Sequence, residues 1–115
     1  MSENFKDWNL IEVFGSNVDF YEKIENGIRF IGFDSTALTP PGPMVNAMAG
    51  LNLIKDKFTK LIMINHKFPV GLIPKISYEF DYEKEDLKSG FVKIIFSLKE
   101  GVTPKTYDIN QVCHG

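Results

Sequence analysis

At 115 residues with a formal net charge of −2, the chain is long enough for one packed core without covalent staples. Its 13 lysines and arginines are interleaved with 15 acidic residues, so no basic block recommends nucleic acid as a partner. A single cysteine, Cys113, rules out an intramolecular disulfide and points to a reducing compartment.

The start of the chain, M-S-E-N-F-K-D-W, has no apolar signal-peptide region. No run approaches the roughly 20 apolar residues a membrane span needs. The expectation is a cytoplasmic protein with no membrane and no nucleic-acid partner.

Residues 1–8 read as a mobile end on which Trp8 could dock. Residues 9–14 (N-L-I-E-V-F) are rich in strand formers, and Gly15-Ser16-Asn17 signals a turn. Residues 18–25 admit two readings. Ser16 or Asn17 could cap a short helix; alternatively, Asn26-Gly27 could form a type I′ turn pairing residues 20–25 with 28–33. The hairpin is favoured, because Asn-Gly between apolar runs is the stronger local signal.

Residues 28–33 (I-R-F-I-G-F) form a strand, apolar enough to be central or covered on both faces. Three prolines then exclude regular structure over residues 38–43, although Pro43 suits the first turn of a helix. Met44, Ala47, Met48, Leu51 and Ile54 fall on one helical stripe, with Asn46, Gly50 and Asn52 on the opposite side. Glycine inside a helix is a weak spot.

A second strand covers residues 60–66 (K-L-I-M-I-N-H) and a short helix residues 71–78, where Pro74 must lie in the first turn. Residues 80–85 and 91–99 are hairpin strands. The tail beyond residue 103 is polar.

This pattern predicts an α/β fold of the α+β two-layer type. A β-α-β-α-β-β mixed sheet carries two helices on one face, with a parallel right-handed crossover at its start. An N-terminal extension, residues 1–27, would add a strand or hairpin. Residues 28–100 form the core domain, and 101–115 the tail.

Ligands of a β-α-β unit gather beyond the carboxyl ends of its strands. Asp34, Pro40, Pro41, Gly42, Pro43 and His66 are the ligand-binding candidates there. The N–H groups of Gly42, Met44 and Val45 would attract a small anion. Each residue also has a structural reading: Asp34 as a loop cap, His66 as a loop anchor, the prolines as a rigid lead-in, and Met44 and Met48 as core.

Histidine as a type suits proton transfer or metal binding, but zinc wants three or four close ligands, and only Asp34 and His66 can be nominated. No catalytic residue, metal set or cofactor is predicted. The sequence holds no G-x-S-x-G, no G-K-[ST] phosphate loop and no H-E-x-x-H. Cys113-His114 is a pairing in the tail with nothing beside it to activate the thiol.

At the first joint, Phe33-Asp34 followed by Leu38-Thr39-Pro40-Pro41-Gly42-Pro43 resembles the TusA/SirA-type sulfur carriers, whose strand end leads into Cys-Pro-x-Pro at the start of a helix. Pro41 and Pro43 take the motif prolines, and Pro40 stands in the place of the sulfur-carrying cysteine. The sequence is more similar to a cysteine-less TusA-like family of unknown function reading D-x-R-x-L-x-P-P-x-P-M. That pattern spans Asp34 to Met44, with Thr36 in the arginine's place. The family's later H-x-x-x-P-x-x-L corresponds loosely to His66-Lys67-Phe68-Pro69-Val70-Gly71-Leu72, where the proline comes one residue early.

The resemblance covers residues 28–100 and implies the β-α-β-α-β-β fold. Persulfide transfer needs a thiolate at the helix start, which Pro40 cannot supply and Cys113 could supply only if the tail folded back. What the resemblance implies instead is a binding or accessory module for a small ligand or protein partner. Alternatives are a metal- or redox-linked enzyme component using His66, a sulfur-carrier-related protein, and homo-oligomerisation through a sheet edge.

Overall fold

The Asn-Gly turn sets the first pairing. Asn26 and Gly27 both have positive φ, 52° and 79°, the signature of a type I′ turn. In the computed structural model, which describes residues 5–103, this turn joins β2 (Phe20–Glu25) to β3 (Ile28–Asp34) with Glu25 opposite Ile28. The hairpin reading is the observed one.

Ahead of it lies β1 (Asn9–Ile11), and after it come α1 (Gly42–Leu51), β4 (Thr59–Asn65), α2 (Ile73–Ile76), β5 (Phe80–Asp86) and β6 (Val92–Leu98). The strands form one six-stranded mixed sheet in the order β1-β2-β3-β4-β6-β5, with only β3–β4 parallel. With its two short helices this is a compact α+β fold. No helix among the described residues is long and apolar enough to cross a membrane.

Strand alternation sorts the side chains into two clusters. Ile31 pairs with Leu61 and Phe33 with Met63, and the row continues to Phe96 and Ile94. These residues pack with Ala47, Met48 and Leu51 of α1 and with Leu72 and Ile76, all buried. The alternate positions, Gly32 paired with Ile62 and Asp34 with Ile64, belong to the other face. There Phe5, Tyr21, Ile62 and Ile64 make a second cluster, with Trp8, Phe30, Leu87 and Ile95 packed against it.

Phe5 corrects the expectation of a mobile chain end. It is 1% exposed, stacks on Tyr21 with centroids 5.4 Å apart, and meets Trp8 edge-on at 5.0 Å. Its ring occupies the space above Gly32, where a Cβ would stand 2.2 Å from Phe5 Cε1. Glycine in the middle of an apolar strand is here a seat for an aromatic ring.

Asn46 and Gly50 also depart from expectation, since both are buried rather than on a solvent side of α1. A Cβ on Gly50 would lie 2.7 Å from Leu61 Cδ1 and 3.1 Å from the Phe20 ring, so the residue lets the helix approach the sheet. Asn46 Nδ2 donates to Asn17 Oδ1 (2.6 Å) and to the Gly42 carbonyl (2.9 Å), and its Oδ1 accepts from the Asn17 N–H (2.9 Å). This polar clamp ties the loop after β1 to α1.

Other boundaries moved. The first strand is three residues rather than the expected six, and the second helix shrinks to Ile73–Ile76 with Pro74 in its first turn. Ile54 lies beyond the end of α1 yet is buried in the same cluster.

Candidate functional site

The candidate residues sit on two loops beyond the carboxyl ends of β3 and β4. The first loop is a chain of tight turns. The Leu38 N–H bonds the Ser35 carbonyl (3.0 Å) and the Gly42 N–H the Thr39 carbonyl (2.8 Å). The Pro40–Pro41 peptide is cis. Pro41 caps the helix, Gly42 and Pro43 open it, and the Val45 N–H bonds the Pro41 carbonyl at 3.0 Å.

That geometry corrects the expected anion cradle. Of the three nominated donors, the N–H groups of Gly42 and Val45 already have backbone acceptors. A single remaining N–H, that of Met44, does not make the convergent set an anion site at a helix start relies on.

The second loop is anchored by a buried polar link. Ser35, fully buried, places its hydroxyl 2.9 Å from both the Ile64 carbonyl and Asn65 Oδ1. Asn65 Nδ2 donates to the Lys67 carbonyl at 2.9 Å. Polar groups removed from water must find partners, and here their pairing fixes how residue 66 leaves the strand. The sequence reading passed over Ser35 and Asn65. Small polar residues at the ends of two paired apolar strands were the available signal.

Between the two loops lies a groove of about 260 Å³, lined by Pro40, Pro41, Pro43 and Met44 on one side and by residues 65–72 on the other. Met44 reaches across it, with its Cε 3.4 Å from where a Cβ on Gly71 would sit. Phe68 forms part of the wall and leans on Tyr82, centroids 5.4 Å apart. Two larger clefts, of about 720 Å³ beside β1 and about 590 Å³ near Lys55 and Lys99, collect none of the candidate residues.

The structure therefore brings Pro40, Pro41, Pro43 and His66 together, and excludes two of the six candidates from the lining. Gly42 turns toward Leu38, 3.1 Å from its would-be Cβ to the Leu38 Cβ. Asp34 projects from the opposite face of the sheet, because it alternates with the core residue Phe33. Its Oδ1 accepts the Thr36 N–H (2.9 Å) and the Thr36 hydroxyl (2.6 Å), a loop-capping turn.

Asp34 also acts on Tyr21, whose phenol is pushed above its ordinary range first by burial and then by the carboxylates of Asp19 and Asp34. The groove residues that sequence reasoning did not nominate are Met44, Asn65 and the run 67–72. The loosely matched second motif was the signal for that run.

Among the described residues no three of His, Cys, Asp or Glu stand close enough to share a metal ion. Cys113 and His114 lie outside the described residues. Set against protein-family models, curated proteins and solved structures, the chain matches none.

Proposed function

We propose that this chain is a binding module of TusA-like architecture, with two helices on one face of a β-α-β-α-β-β core, whose working surface is the groove between Pro40–Pro41–Pro43 and the loop from His66 to Leu72. The observation that carries the proposal is convergence. Two proline-bearing segments far apart in the chain form opposite walls of one apolar concavity. Sites of this kind, mostly apolar with a few polar groups at one end, are the usual form of a small-molecule pocket.

At about 260 Å³ the groove falls just below the usual range of about 300–1,000 Å³ for drug-sized ligands. A compact small ligand is its occupant. Pro40, standing where the resembling carriers hold a thiol, contributes wall rather than nucleophile. In this reading the module holds its ligand and does no chemistry on it.

The test is a fragment screen by ligand-observed NMR on the full chain and on Phe68→Ala, His66→Ala and Asp34→Ala. Binding that is lost in Phe68→Ala, weakened in His66→Ala and unchanged in Asp34→Ala supports the groove. Fragments that bind Phe68→Ala as well as the parent protein would place the site elsewhere and overturn the proposal.

A further inference from the structure

Lys67 is the one side chain of fixed charge that lines the groove, with the His66 imidazole next to it in sequence. His66 and Lys67 are exposed members of its lining, and no aspartate or glutamate contributes to it. Lys84 lies outside the lining, its Nζ 5.7 Å from the centroid of the Phe68 ring, and Asp86 offsets its charge at 3.5 Å. The Lys67 charge is not an overflow of basic residues, since the chain as a whole carries a net charge of −2. The rest of the lining is mostly apolar, with Met44, Phe68, Pro69 and Leu72 among it.

We propose, resting on the groove reading above, that the ligand is a small amphipathic carboxylate. Its compact apolar body lies against Met44 and Phe68, and its carboxylate faces His66 and Lys67. Size limits the body: about 260 Å³ equals roughly nine waters at their liquid volume of about 30 Å³ each. The anion is a carboxylate rather than a phosphate because the start of α1 offers no convergent set of free N–H groups. The Gly42 and Val45 N–H groups have acceptors and Pro43 has no N–H, which leaves Met44 alone there. A phosphate needs such an N–H cradle, whereas a single negative charge is served by two mobile cationic or donor side chains.

The rim groups are in water, so each contributes modestly. Exposed charge pairs are typically worth no more than about a five-fold change in affinity. Specificity then comes from apolar body and charge acting together.

The experiment titrates the isotopically labelled full chain with 3-phenylpropionate, its amide, 3-phenylpropylamine and inorganic phosphate, following backbone amides. The expected result is that 3-phenylpropionate shifts the amides of residues 44 and 66–72 and binds about ten-fold more tightly than the amide, the amine or phosphate. The double substitution His66→Gln, Lys67→Gln, both at exposed positions, should remove that advantage while leaving binding of the amide unchanged. Equal binding of the amide or the amine would overturn the carboxylate assignment and leave the groove standing. Stronger binding of phosphate would overturn the amphipathic class. If no probe shifts these amides, the groove reading fails together with the ligand class.

Discussion

The two faces of the sheet solve the same problem differently. Each has an apolar surface that helices alone do not cover. On one face the chain closes it with its own aromatic residue, laying Phe5 over Gly32 between Tyr21 and Trp8. On the other, α2 is a single turn, and the space between the loop leading into it, residues 65–72, and the start of α1 stays open as the groove. Burial separates the two aromatics concerned: Phe5 is 1% exposed, while Phe68 is only half-buried and Tyr82 beside it is exposed. An apolar surface that the chain closes with its own side chain is core. The one left open, walled by prolines and bordered by His66 and Lys67, is the surface we propose for a ligand.

Truncating the two aromatics tests that contrast most directly. Phe5→Ala removes a buried ring and should cost about 3 kcal/mol or more. Gly32→Ala should act in the same direction by pushing the ring off its seat. Urea denaturation measures both, and silence in both would mean that the outer face is not closed by Phe5.

Next in size is Asn46→Ala, at about 1–2 kcal/mol. It removes the clamp to Asn17, but Asn17 is exposed and can return to water. Phe68→Ala should cost about 1 kcal/mol or less in the same denaturation experiment and abolish groove binding. A loss as large as that of Phe5→Ala would make Phe68 a core residue and erase the distinction between the faces.

The smallest effect belongs to Tyr21. Its phenol titrates higher in the folded chain than in the unfolded one, so the unfolded chain releases the proton first as pH rises. Stability attributable to the neutral phenol is full below about pH 10, the ordinary tyrosine value. It falls as pH climbs from there through the raised folded-state value. Tyr21→Phe should flatten that part of the stability profile, measured by denaturation at stepped pH, relative to the parent.

Where the governing physics was local, the residues alone were informative. Asn26-Gly27 sets its own turn through the positive φ that both residues tolerate, and the apolar runs of β3 and β4 declare buried strands. The prolines mark the start of α1. Period-two alternation could have gone further. With Ile31 and Phe33 facing the core, Gly32 and Asp34 had to face the other way, which takes Asp34 out of the groove. A glycine inside β3 was likewise a signal of close approach, but its neighbour, Phe5, is 27 positions away in the chain.

By itself, then, the sequence determined the order of strands and helices, the hairpins and the proline-set start of α1. These depend on backbone preference and on which residues must avoid water. Only the tertiary structure decided that Phe5 fills the space above Gly32, that Asn46 and Gly50 face inward, and that the donors at the start of α1 are already engaged. Those outcomes follow from close packing and hydrogen-bond pairing between segments distant in the chain, which no local pattern encodes.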